Sequence, residues 1–178
     1  EVIFPSGQIL YVEEFGVPVI SVEDEWVGLD GRVLRKDRPT AILYAWGGNG
    51  ASYYGQSGIL GNNNSVPGAS SPVTVAGGII NWNSIAAGDS HSLGVTDTGE
   101  LYAWGEGDEG RLGTGDDDSR SSPATIAGGI TNWSSVAAGD KHSLGLTDTG
   151  DLYTWGRIDF GALGTGSYVF EQLSPVTV

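Results

Sequence analysis

The stretch WNSIAAGDSHSLGVTDTGELYAWGEGDEGRLGTG, residues 82–115, recurs as WSSVAAGDKHSLGLTDTGDLYTWGRIDFGALGTG at residues 133–166. The copies lie 51 residues apart and agree at 24 of 34 positions without a gap. A repeat of that length makes each copy one supersecondary unit that buries its core by stacking on its neighbours. Working outward, Leu43-Tyr44-Ala45-Trp46-Gly47 matches Leu101-Tyr102-Ala103-Trp104-Gly105 and Leu152-Tyr153-Thr154-Trp155-Gly156. Ser71-Pro72-Val73-Thr74-Val75 closes a first, incomplete unit, as Ser122-Pro123-Ala124-Thr125-Ile126 and Ser174-Pro175-Val176-Thr177-Val178 close the next two. Trp46 and Trp104 stand 58 residues apart, so the loop Gly48–Ser71 carries a seven-residue insertion.

Each unit reads as four short strands. The first is Ile85-Ala86-Ala87. The second runs from His91 to Thr96 and places His91, Leu93 and Val95 on one face by the two-residue strand period. Asp97-Thr98-Gly99 is a tight turn, and Gly99 (Gly150 in the next copy) supplies its positive φ. The third strand is Leu101 to Trp104. The fourth is Pro123 to Ile126, with proline at the strand start, where its missing N–H costs no ladder bond. No segment carries a helical period. The 30 glycines fall at fixed repeat positions, which marks turns rather than disorder. The fold class is therefore all-β, built of four-stranded propeller blades.

Residues 41–178 form the repeats and residues 1–40 a separate β-rich segment for attachment or edge cover. In that segment Ile9–Val12 and Val17–Ile20 read as strands, and Asp30-Gly31 between Trp26-Val27 and Val33-Leu34 reads as a hairpin.

The pattern A-G-D-x-H-S-L-G-[VL]-T-D-T-G-x-L-Y-x-W-G, followed by L-G-T-G and S-P-x-[TV]-[VI], resembles the RCC1 (regulator of chromosome condensation) repeat. The likeness covers residues 41–178. It implies a propeller of about seven blades, of which fewer than three are encoded here. The ring is expected to be completed by further chain or by other subunits, and the absence of methionine fits a processed or truncated product. Two departures stand out. Gly94 and Gly145 occupy a position where the family usually carries alanine, and the first unit lacks its Gly-Asp-x-His half.

Composition narrows the function. Eight basic against 22 acidic residues give a formal net charge of −14, which opposes nucleic-acid binding through phosphate neutralisation. It opposes docking on anionic membranes too. The one basic cluster, Arg32, Arg35, Lys36 and Arg38, reads as a solvated turn. No apolar run reaches the ~20 residues of a membrane span. With no cysteine there is no disulfide, zinc-thiolate site or thiol nucleophile. No catalytic residue and no cofactor are expected.

Asp89-x-His91 and Asp140-x-His142 invite a catalytic or metal reading. Both units carry the pair, however, and sites seldom recur once per blade. These four residues, with Gly99, Gly150, Trp104 and Trp155, read as scaffold, the imidazoles being tied to turn backbone. Trp46, Trp82 and Trp133 are likewise phased with the repeat and read as packing between blades. Asp116, Asp117 and Asp118 form a weak calcium candidate, since three carboxylates on a glycine-rich loop suit that ion. Their counterparts in the other units are Asn62-Asn63-Asn64 and Ser167-Tyr168, which favours a solvated loop.

Function is then sought where the copies disagree. Tyr53, Tyr54, Asn62 and Asn63 in the first loop, Asp116 and Asp117 in the second, and Arg157, Phe160 and Tyr168 in the third are the interaction candidates. The expected role is a non-enzymatic binding module for protein partners within an oligomeric assembly. The lysine-poor, Asn/Ser/Gly/Thr-rich loops point to a virion surface component or a secreted bacterial protein. Its partners would be other virion proteins or a cell-surface receptor. The family resemblance adds two alternatives, a guanine-nucleotide exchange factor and a secreted inhibitor of an enzyme.

Overall fold

The computed structural model describes five short backbone strands within residues 1–41, and then residues 42–49, 58–64, 68–157, 161–166 and 170–178. Chain contacts divide it into two compact units, Glu1–Pro39 and Thr40–Val178.

In the first unit β1 (Val2–Ile3) pairs with β2 (Ile9–Leu10). β3 (Val19–Val22), β4 (Glu25–Gly28) and β5 (Val33–Arg35) form an antiparallel sheet in that order. Trp26 stands opposite Leu34 and Val27 opposite Val33, the pairing that the Asp-Gly signal suggests. Asp30 and Gly31 themselves lie outside the described residues.

The second unit contains the repeats. β6 (Tyr44–Gly48) and β7 (Gly68–Thr74) form a two-stranded half-unit. A four-stranded antiparallel meander follows: β8 (Trp82–Ala87), β9 (His91–Thr96), β10 (Leu101–Gly105) and β11 (Arg120–Thr125). The second copy gives β12 (Trp133–Ala138), β13 (His142–Thr147), β14 (Leu152–Arg157) and β15 (Glu171–Thr177) in the same order. Gly99 and Gly150 adopt φ of +82° and +89°, the turn geometry their positions require.

The fourth strands begin earlier than the sequence suggests. Pro123 sits inside β11, not at its start. It falls where the register slips between Ala103/Ala124 and Gly105/Arg120, and β11 is the sheet's edge. A bulged edge strand tolerates a residue without an N–H, so the proline needs no strand terminus.

Meanders this short cannot bury both faces alone, and stacking does it. Leu93, Val95 and Leu101 are sealed against Trp133 and Trp155 of the next copy, with Leu112 from the intervening loop. Each such side chain contributes about 1.5–3 kcal/mol when fully buried. Their counterparts in the last copy have no following unit among the described residues: Leu146 and Leu152 are 38% and 39% exposed. Near-identical sequences thus differ in burial only through the presence of a neighbour.

The glycines at 94 and 145 have a packing cause. A Cβ there would lie 2.4 Å from Cζ3 of Trp82 and of Trp133 respectively. Each indole packs against its own second strand and meets Tyr102 and Trp104, or Tyr153 and Trp155, edge to face. Gly145→Ala is therefore expected to cost about 2 kcal/mol by overpacking. In a Trp133→Leu background the cost should fall below about half of that. Urea unfolding of the four variants measures this, and equal costs in both backgrounds contradict the explanation.

Candidate interaction surface and the lock between units

Between β10 and β11 the chain makes a compact loop whose tip is a single turn, Asp108–Gly110, with Glu109 at φ +63°. That turn drives Arg111 inward. Its guanidinium is buried, donates to Ser90 Oγ and to the Asp108 carbonyl, and pairs with Glu106 at 3.0 Å. Its carbonyl oxygen points the other way, into the next unit. There it accepts from Trp155 Nε1 at 3.1 Å and from Ser143 Oγ at 2.9 Å.

The preceding junction repeats the device. The carbonyl of Ile59 accepts from Trp104 Nε1 at 2.9 Å and from Ser92 Oγ at 3.2 Å. Gly61 and Gly113 follow at φ +63° and +71°, each beneath the indole it serves; a Cβ on either would lie 2.7 Å from the ring. At both junctions among the described residues, a unit thus reaches forward with one carbonyl and one glycine to hold the next unit's tryptophan and serine.

His91 completes the second junction. Its Nε2 lies 2.8 Å from Ser143 Oγ. Because that hydroxyl gives its only proton to the Arg111 carbonyl, the imidazole is the donor and carries its proton on Nε2. A nucleophilic serine requires the opposite polarity, with histidine accepting. The pair is a structural lock. Contrary to expectation, the ring is tied to the next unit and not to its own turn. Burial, then the charges of Arg111 and His142, lower the His91 pKa from 6.5 to about 4 against the opposing pull of Asp140. Among the described residues Nδ1 has no hydrogen-bond partner, so protonating it would bury an unpaired charge.

Asp116 staples its loop: its carboxylate accepts from Thr114 and the Asp118 amide and pairs with Arg120 at 2.7 Å. Desolvation pushes its pKa up, but the hydrogen bonds from Thr114, Arg120 and the Asp118 amide, with the Arg120 charge, outweigh it and leave the pKa lowered. Among the described residues no three metal-ligating side chains converge, and the calcium candidate of Asp116, Asp117 and Asp118 gains no support.

The interaction candidates fare unequally. Asp117 and Asn63 are exposed, and Asn63 is anchored through its amide to the Ser121 carbonyl at 2.8 Å. Asn62 is half-buried. Arg157 is no free loop cation, because Glu109 of the preceding unit pairs with it and with Lys141. Tyr53, Tyr54, Phe160 and Tyr168 lie outside the described residues. Sequence reasoning missed Phe170, which is 93% exposed beside the third loop. Its absence from the other copies was the available signal. Arg111 and Ser143 were missed because their roles cross between units.

Four-stranded meanders stacked through such a lock are blades of a β-propeller. Models of the regulator of chromosome condensation (RCC1) repeat match residues 98–146, and residues 82–111 with 133–161. The chain belongs to the RCC1 repeat family. It is 39% identical over 139 residues to the ultraviolet-B receptor UVR8 of Arabidopsis thaliana, covering 76% of this chain and 30% of that protein. It is 40% identical over 90 residues to the protein RCC2 homolog of Danio rerio, covering 50% of this chain and 18% of that one. The crystal structure of Prp20p from Saccharomyces cerevisiae superposes with a TM-score of 0.64 at 26% identity, over 90% of this chain and 37% of Prp20p. The chain therefore spans less than two fifths of each of these proteins.

Proposed function

We propose that the chain is part of a non-enzymatic propeller that binds protein partners through the loops that differ between its blades. One observation carries this. Residues common to the copies are consumed in stacking: His91, Ser143, Trp104 and Trp155 are all buried in the junctions. What faces outward is the variable set, including Asn63, Asp117, Asp118 and Phe170. The Prp20p structure was reported with that protein's binding properties to Gsp1p and histones, which supports protein binding as the use of such a platform.

Within this reading the chain belongs to a virion surface or to the secreted proteins of a bacterium, with virion proteins or a cell-surface receptor as partners. The support is its acidity and its polar, lysine-poor loops. Detection in purified particles or culture supernatant tests the placement; a purely cytosolic, monomeric protein overturns it. The binding role is tested by replacing Asp117, Asp118 and Phe170 together with alanine. Capture of the co-purifying protein should fall at least tenfold while the unfolding temperature stays within about 2 °C, since exposed substitutions cost little. Undiminished capture overturns the loop-face reading. The exchange-factor alternative predicts faster nucleotide release from a small GTPase, and no acceleration is expected.

A further inference from the structure

Three of the four basic residues within residues 41–178 converge on one carboxylate. Glu109 holds them from the tip of the second unit's loop. Arg111 belongs to the same loop, whereas Lys141 and Arg157 belong to the unit that follows. Lys141 Nζ lies 3.3 Å and Arg111 Nη2 3.5 Å from Glu109 Oε2, and the Arg157 guanidinium binds Oε1. Glu109 reaches them from φ +63°, a backbone conformation that glycine adopts more readily.

Stacking itself does not require these charges. At the preceding junction the Ile59 carbonyl holds Trp104 and Ser92 just as the Arg111 carbonyl holds Trp155 and Ser143. Yet residues 41–88 contain no charged residue at all. The ion pairs add little strength either. The side chains of Glu109, Arg157 and Lys141 are 29%, 35% and 38% exposed, and pairs so open to water contribute little to stability. What the shared lock lacks is selectivity. It is the same at both junctions, and the two full copies agree at 24 of 34 positions. Units so alike tend to stack out of order, or on units of another chain, during folding.

The charges sit where the copies differ. One repeat apart, Lys141 replaces Ser90, Arg157 replaces Glu106 and Phe160 replaces Glu109. In the native order one carboxylate meets two cations of the next unit. With one second unit stacked on another, Glu109 would face Ser90 and Glu106, carboxylate against carboxylate. With a third unit stacked on the first, or on another third unit, Lys141 and Arg157 would lose Glu109. The third unit offers Phe160 in its place, and the first offers no acidic residue. Like charges set across an interface reject a wrong partner more strongly than exposed pairs hold a right one.

We infer that Glu109, Lys141 and Arg157 form a matching surface that selects which unit stacks on the second blade. The occupant it fits is the unit that begins at Trp133, and what it rejects is a further copy of the unit that begins at Trp82. It sets the order of the blades and adds little to their cohesion. It is independent of the loop-face reading, so either can fail alone.

The test is refolding of the whole chain from urea at low ionic strength. Size-exclusion chromatography with light scattering reads the share recovered in the same assembly state as the never-unfolded chain. Glu109→Lys sets like charges across the right junction and opposite charges across the wrong one. That share should fall at least threefold, the lost chain appearing as larger soluble assemblies. Adding Lys141→Glu and Arg157→Glu to that variant restores the match with its signs inverted, and should restore most of the share. Arg120→Gln alters the remaining basic residue, which pairs with Asp116 in its own loop, and should change nothing. An undiminished share in Glu109→Lys overturns the inference. So does a fall that the triple variant does not repair, which would mean general misfolding. So does a difference from the native chain that persists at about 1 M salt, where charges are screened within about 3 Å.

Discussion

Trp155→Ala is expected to remove about 4 kcal/mol of unfolding free energy, read by urea denaturation of the whole chain. The side chain is fully buried, and truncating a buried tryptophan costs about 3–5 kcal/mol through lost transfer energy and a residual cavity. Three contacts go with it: the edge-on packing against Trp133, the cover over Gly113 and the hydrogen bond to the Arg111 carbonyl. Single domains are stable by about 5–15 kcal/mol, so the loss is a large share of the total. Trp46→Ala supplies a control at the same repeat position. Its indole is 63% exposed, and the expected cost is below about 1 kcal/mol, as for other exposed substitutions. Similar losses from both variants would contradict the account of stacking.

The second large effect is a pH dependence that belongs to His91. Its pKa in the folded chain is about 4, against 6.5 for the ordinary side chain. The unfolded state therefore binds the proton first as pH falls. Stability from the neutral imidazole is complete above pH 6.5, drains away between 6.5 and about 4, and is gone below that. Each pH unit between the two values is worth about 1.4 kcal/mol, so the total is about 3 kcal/mol. His91→Gln keeps an N–H that can reach Ser143 and cannot titrate. The stability difference between the native chain and this variant should stay flat above pH 7 and shrink by about 3 kcal/mol down to pH 4. A difference independent of pH contradicts the assignment. Subtracting the variant also removes the general effect of protonating the many carboxylates.

The blade was legible in the sequence because two copies could be compared, and shared spacing reveals strands, turn glycines and phased tryptophans. Contacts between copies were not legible. Nothing in one unit's sequence says that His91 seeks Ser143, which lies 52 residues away in the following blade. For the same reason Arg157 read as an interaction candidate of the third loop, although Glu109 holds it from the blade before. Pro123 was placed at a strand start because sequence gives no sign of a bulge at an edge. The glycines at 94 and 145 stood out as departures, but only three-dimensional packing shows the indoles lying against them.

The forward-reaching carbonyl of Ile59 and Arg111 gives the array a polarity in time. A ribosome releases each loop before it releases the tryptophan and serine that the loop will hold. No blade can seal its own apolar face when its last strand emerges; Leu93 and Val95 wait for β12 and the residues after it. Folding during synthesis would then proceed as a zipper closed from behind, one blade late at every step. A stalled ribosome would leave the newest blade's apolar face open.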